Sequence, residues 1–286
     1  MKTFDCDATM TDTQVLEFCR QGFTVLEAIV PPDINERTLQ FLDAFYATQD
    51  PDLPDRTATI PTDLLSEDWF WKNIIIPPQV TGVLRSLLGR DLALPTFLSN
   101  HRVRCPMPAV VPGRQDGWHR DGSGGVGVPE LESVDFGSVD SRGGAQNCLQ
   151  VFYYPQDVPL ELGPTELVPG SHLIQGEGRF EVDSFLALLD DRGDARDSSP
   201  QAAPAGSITI TLYPIWHRRT AATGEGIRNN LKYRYFRIVP PQRDWIREPG
   251  FKMPVPGPVK AAHSAPEVVD AAEMFAWLSG IESSRP

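Results

Sequence analysis

The chain has 286 residues, 41% of them hydrophobic, and a formal net charge of −12. That is long enough to bury a full core and too acidic for a nucleic-acid-binding face. No run approaches the roughly 18 uninterrupted apolar residues of a spanning helix, and the four cysteines (Cys6, Cys19, Cys105, Cys148) lie far apart with no CxxC pair, which excludes a zinc knuckle and fits reduced thiols.

The first segment, MKTFDCDATM, is polar and carries no apolar run of leader type, so a cytoplasmic protein is expected. Residues 11–21 read as a helix, capped by Thr11 or Thr13, with Val15, Leu16, Phe18 and Cys19 on one face. Gly22 ends it, and Phe23-Thr24-Val25-Leu26 reads as a short strand. Pro31-Pro32-Asp33 opens a second helix over 33–48. Residues 62–72 and 78–89 also read as helical, and Trp69, Phe70 and Trp71 are assigned to the core. From Leu92 onward, strand-like runs separated by Gly and Pro take over. Leu94–Val103 is one such run.

Next comes Trp118-His119-Arg120-Asp121-Gly122. In an extended strand, positions i and i+2 share a face, so His119 and Asp121 aim an imidazole and a carboxylate at one point. Two histidines and one carboxylate with open positions suit non-haem Fe(II), so the motif demands a second histidine from elsewhere. The glycine-rich residues 122–146 read as a lid or substrate-facing loop rather than a passive insertion. A strand follows at 146–154, then a strand and tight turn through Pro169-Gly170-Ser171-His172. Residues 179–192 read as a surface helix and 190–205 as a solvated linker. Ile208, Ile210 and Leu212 mark a strand that delivers Trp216-His217. Another strand runs from Leu231 to Val239, and the proline-rich tail ends in a helix over 266–278.

His217, at a strand end with an apolar wall behind it, is the preferred partner for His119 and Asp121. His172 reads as a structural hydrogen-bonding residue after its turn, His263 as exposed, and His101 as a satisfied sheet histidine, with lining the pocket as its alternative. Arg228 can grip a carboxylate through two parallel hydrogen bonds; Lys232, Arg234 and Arg237 are its rivals. Arg120 and Arg219 either face solvent or attract an anionic substrate. Trp118, Phe152 and Tyr213 either pack or touch substrate.

WHRDG, NCLQVFYYPQD, LGPTELVPGSHL, AGSITITLYPIWHRR and GIRNNLKYRYFR, in that order, resemble the landmarks of the phytanoyl-CoA dioxygenase family of Fe(II)- and 2-oxoglutarate-dependent oxygenases. The resemblance implies a mainly β fold with flanking helices, a double-stranded β-helix or jelly-roll. It implies one oxygenase domain over 1–286: helical support in 1–91, the jelly-roll in 92–240, and a tail with a helix in 241–286. It matches His119, Asp121 and His217 to the iron-binding triad and Arg228 to the arginine that pairs with the C5 carboxylate of 2-oxoglutarate. It places Gln150 and Thr220 in regions lining the co-substrate pocket. Fe(II), 2-oxoglutarate and O2 are the expected cofactor and co-substrates. The expected partner is a small organic, natural-product-like molecule, bound by a monomer or small homo-oligomer without nucleic acid or membrane. Asp121 occupies the position a halide would need, which favours hydroxylation over halogenation; desaturation, ring closure and epimerisation share the same oxidant. Two other readings stay open: a catalytically silent binding protein on the same fold, and a metal-dependent hydrolase or isomerase that ignores 2-oxoglutarate.

Overall fold

The computed structural model describes residues 2–3, 6–49, 55–107, 117–121, 148–175, 198–239, 247–255, 267–268 and 271–281. The expected 122–146 loop, the 179–192 helix and His263 lie outside the described residues.

The helices are α1 (Asp12–Gln21), α2 (Pro32–Ala47), the single turn α3 (Asp68–Phe70), α4 (Pro78–Leu88) and α5 (Ala271–Leu278). The strands are β1 (Lys2–Thr3), β2 (Phe23–Leu26), β3 (Asp55–Thr59), β4 (Asp91–Ala93), β5 (Ser99–Met107), β6 (Cys148–Tyr154), β7 (Thr165–Leu167), β8 (Ile174–Gln175), β9 (Ser199–Pro200), β10 (Ser207–Leu212), β11 (His217–Arg219), β12 (Ala222–Arg237) and β13 (Glu267–Val268).

A large antiparallel sheet runs β1-β4-β12-β6-β10-β2, with β5 and then β3 flanking the first half of β12. A small sheet runs β11-β7-β9. The large sheet has two chemically different faces, as the period of two along a strand requires. Leu149, Val151 and Tyr153 of β6, Ile208, Ile210 and Leu212 of β10, and Leu231, Tyr233 and Tyr235 of β12 join the main core with α1, α2, α4 and α5. Tyrosines on this face keep their hydroxyls satisfied: Tyr153 bonds Asn35 of α2 at 2.7 Å, and Tyr233 donates to the Ile74 carbonyl at 3.1 Å. The opposite face carries Gln150, Phe152, Tyr154, Thr209 and Thr211, and meets the small sheet. Tyr154 Oη and Asn230 Nδ2 both reach Thr165 Oγ1, at 2.7 and 3.2 Å, and so tie the sheets together. This two-sheet, mainly antiparallel arrangement with helices outside is the expected jelly-roll.

Several boundaries differ from the sequence reading. Residues 62–72 form a 3-10 turn (Thr62–Ser66), α3 and a π turn (Trp71–Ile75) rather than one helix. Phe70 is buried, while Trp69 and Trp71 only flank the core. Pro95 interrupts the run after Leu92, so β4 and β5 are separate strands. The described part of 190–205 is not a solvated linker. β9 pairs with β7, the Gln201 amide donates to the Thr165 carbonyl at 2.8 Å, and Gln201 is buried. The tail helix starts at Ala271, and residues 267–268 pair with β8 instead. Among the described residues, no helix is long and apolar enough to cross a membrane.

Candidate metal centre

His217 does not end the apolar strand, as the sequence suggested. β10 stops at Leu212, and Pro214, which has no amide to give the ladder, helps carry the chain from the large sheet to the small one. The crossing is pinned by the Leu212 amide on the Gly22 carbonyl (2.8 Å) and the Trp216 amide on Ser171 Oγ (3.0 Å). His217 therefore opens β11. WHRDG is not a full strand either. His119 makes an isolated bridge with His217, in which the two residues exchange both backbone hydrogen bonds (3.0 and 2.9 Å), and Asp121 lies in the following turn. The convergence of His119 and Asp121 thus comes from a bridge and a turn, not from a pleat.

The three side chains meet. One ligand atom from each of His119, Asp121 and His217 lies within 4.8 Å of the others. His217 Nε2 is 3.6 Å from Asp121 Oδ2, His119 Nε2 is 4.0 Å from Asp121 Oδ1, and the two imidazole rings are 4.3 Å apart. His119 Nδ1 lies 2.8 Å from the Gly117 carbonyl and His217 Nδ1 lies 3.0 Å from the Ile215 carbonyl. A carbonyl only accepts, so both Nδ1 atoms carry the proton and both Nε2 lone pairs face the cluster. His217 Nε2 is buried and has no hydrogen-bond partner, an expensive orphan unless something else occupies that direction. Burial first, and the neighbouring His119 second, push His217 down to about 3. Burial acts to raise the Asp121 carboxyl, but the His217 ring, Lys232 and the Gln150 amide pull it well below the usual carboxylate range. A neutral His217 imidazole beside an ionised carboxylate is the protonation state a divalent metal requires of these two ligands. The donor set, the tautomers and the orphaned nitrogen all fit a two-histidine, one-carboxylate iron site.

Gln150 bears on this site directly: its Nε2 donates to Asp121 Oδ2. Phe152 sits edge-on to His217 at 5.6 Å. Trp118 is buried under the Arg218 guanidinium, 4.3 Å from its ring, and so packs rather than lining the cluster. Thr220 bonds the neighbouring Gly163-Pro164 turn. Its amide and hydroxyl both donate to the Pro164 carbonyl, at 3.0 and 3.1 Å.

Arg228 is fully buried on the inner face of β12. Nη1 donates to the Gly163 carbonyl at 2.9 Å and Nη2 reaches His101 Nδ1 at 3.0 Å, while Nε has no partner. Because a guanidinium only donates, His101 Nδ1 accepts, and His101 Nε2–H donates to Asp55 Oδ1 at 2.6 Å. Burial first pushes His101 down to about 4, against the pull of Asp55. Gly163 has φ +66°, and a Cβ there would stand 2.7 Å from the Thr220 carbonyl oxygen, so this turn needs glycine. The Asp55–His101–Arg228 relay joins three remote segments; the sequence offered His101 as a satisfied sheet histidine or a pocket-lining one, without these partners. Arg219, read as a possible lure for anions, instead bonds Asp55 at 3.3 Å.

The phytanoyl-CoA dioxygenase (PhyH) family profile matches residues 18–230. No curated protein sequence is significantly similar to the chain. Among solved structures, the chain is similar in fold to HygX from Streptomyces hygroscopicus with nickel and 2-oxoglutarate bound (14% identity, TM-score 0.54, 80% of this chain and 87% of that one). It is also similar to the epimerase SnoN in complex with Fe3+, alpha ketoglutarate and nogalamycin RO (16%, TM-score 0.54, 90% and 93%) and to the non-heme monooxygenase ThoJ–Ni complex (17%, TM-score 0.50, 77% and 76%). At such identities the likeness establishes the fold, while the family match spans most of the chain and includes all three clustered side chains and Arg228. The chain belongs to the phytanoyl-CoA dioxygenase family, and with it to the non-haem Fe(II)- and 2-oxoglutarate-dependent oxygenases.

Proposed function

We propose that this chain hydroxylates, or otherwise oxidises, a small organic, natural-product-like molecule, using Fe(II), 2-oxoglutarate and O2. The observation that carries the reading is the buried, unpartnered Nε2 of His217, facing Asp121 beside His119 with both tautomers fixed for ligation. His119, Asp121 and His217 hold the metal. Iron with 2-oxoglutarate and O2 supplies an oxidant strong enough to attack an unactivated C–H bond. The protein's own task is orientation and dryness. Gln150 fixes the Asp121 carboxylate through its amide. Arg228 pairs with the far carboxylate of 2-oxoglutarate, for which its buried Nε is still free of any acceptor. Asp55 and His101 hold that guanidinium in place, and Thr220 acts one step further out by keeping the Gly163 turn. Phe152 walls off one side of His217. The chain acts as one oxygenase domain, and its free cysteines suit the cytoplasm.

The test is succinate formation from 2-oxoglutarate with purified protein, with and without Fe(II). Release that needs both components supports the reading. A protein that neither binds 2-oxoglutarate in a metal-dependent way nor releases succinate is a silent binder, and the reading fails. Activity that persists without 2-oxoglutarate assigns a metal-dependent hydrolase or isomerase instead.

A further inference from the structure

The inner face of β12 carries a ladder of cations: Arg228, Lys232 and Arg234. Arg237 points the other way and donates to the Leu87 and Leu88 carbonyls at the end of α4. Arg228 has Gly163 and His101. Arg234 donates to Tyr213 Oη at 3.2 Å, with its guanidinium 5.7 Å from the centre of the Phe97 ring. Lys232 is different. It makes no hydrogen bond and no ion pair with any described residue. Its Nζ lies 5.5 Å from the centre of the Phe152 ring, and that ring's edge contact is His217. Lys232 and the metal ligand His217 thus share the Phe152 ring, which sets the ammonium beside the metal site, where its charge acts on both Asp121 and His217. It lies two residues beyond the end of the family match.

A partly buried ammonium with no counter-charge is unfavourable when empty and favours any anion that enters. Asp121 cannot serve as its partner, because it lies beyond ion-pair distance and its charge is committed to the metal. The second carboxylate of 2-oxoglutarate is already accounted for by Arg228. We infer that Lys232, with Arg234 beside it, binds an anionic group of the molecule being oxidised, so the substrate class is a small organic acid: a carboxylate, sulfate ester or phosphate ester. This rests on the oxygenase reading above. It places the charged end of the substrate against β12 and leaves the adjacent carbon chain to lie over the triad.

The experiment uses Ni(II)-loaded protein, which binds without turning over, and calorimetry on wild type, Lys232→Met and Lys232→Arg. Methionine keeps an unbranched apolar stem against Phe152 and removes the charge. The first titrant is 2-oxoglutarate, expected to bind all three proteins within about twofold of one another. With 2-oxoglutarate in place, hexanoate and hexyl phosphate are compared with hexanamide. Wild type and Lys232→Arg are expected to prefer the anions by about tenfold or more, as one charge-assisted contact gives, and Lys232→Met is expected to lose that preference. No preference in wild type, or a preference that survives in Lys232→Met, overturns the inference. So does a Lys232→Met protein that loses 2-oxoglutarate instead, since Lys232 then serves the co-substrate. If wild type binds no 2-oxoglutarate, the oxygenase reading falls, and the anion titration on the metal-loaded protein still decides the role of Lys232.

Discussion

The two faces of the large sheet obey different rules. On β6, Leu149, Val151 and Tyr153 turn outward into the helices, while Gln150, Phe152 and Tyr154 turn inward. On β12, Leu231, Tyr233 and Tyr235 face out, and Arg228, Asn230 and Lys232 face in. The outer face is apolar and gains its free energy from area removed from water. The inner face is polar, and its groups are oriented by specific bonds. Alternate residues of the same strand therefore hold the fold together and carry the chemistry, and the two can be damaged separately.

The largest expected effect comes from the inner face. His217→Ala removes a ligand, and succinate formation should fall about a thousandfold, the rate equivalent of roughly 4 kcal/mol of lost metal stabilisation. Its thermal midpoint without metal should fall only by what the buried ring and its Nδ1 bond to the Ile215 carbonyl contribute, because Nε2 bonds no described residue. An equal collapse of both would erase the distinction between the faces. The converse is Leu231→Ala on the outer face, fully buried among helix side chains. It should cost about 3 kcal/mol in denaturant unfolding while leaving turnover per folded molecule unchanged.

Acid should also act through the fold. Burial pushes His172 down to about 4, against the hydrogen bond from its Nε2 to the Cys19 carbonyl. Its ring fills the space where a Cβ on Gly22 would sit, 2.3 Å from Nδ1. The unfolded chain takes up this proton first. Stability is therefore intact above about pH 6.5 and declines as pH falls toward 4, by up to about 3 kcal/mol. His101 is pushed the same way and adds a smaller share, since part of it meets solvent. Unfolding of His172→Gln should show a flatter pH slope than wild type.

The smaller effects test the inner face bond by bond. Arg228→Met should raise the KM for 2-oxoglutarate about a hundredfold, as loss of a buried charged partner does. It should leave 2-oxobutyrate, which lacks the second carboxylate, unaffected. Gln150→Leu frees the Asp121 carboxylate and should weaken Fe(II) binding by about tenfold, measured by metal titration.

The alternation that separates these faces is local, and so it is legible in the sequence. Ile208, Ile210 and Leu212 announce β10 by spacing alone. The triad needed more. HxD is weak by itself; the strand-end position of His217 made it the preferred partner of His119, and several ordered landmarks made the triad specific. The register was not legible. The crossing at Pro214 and the pairing of Ser199–Pro200 with β7 depend on contacts between segments far apart in the chain. The role of His101 was hidden for the same reason. Its two partners, Asp55 and Arg228, are separated from it by 46 and 127 residues, and nothing in its flanking residues marks the relay. Lys232 was visible as a cation but not as one without a partner among the described residues, since pairing is a property of the folded chain.

The reciprocal bridge between His119 and His217 has a consequence for which ion the site holds. Two residues that exchange both backbone hydrogen bonds leave their side chains at a spacing fixed by peptide geometry. That spacing is hard to tune by repacking neighbours, so the site has little means of sizing one first-row divalent ion against another. It will rank them by their intrinsic order, nickel and copper above iron. Iron occupancy in the cell is then decided by the free concentration of each metal, and purified protein should exchange Fe(II) for Ni(II) when the two are supplied equally.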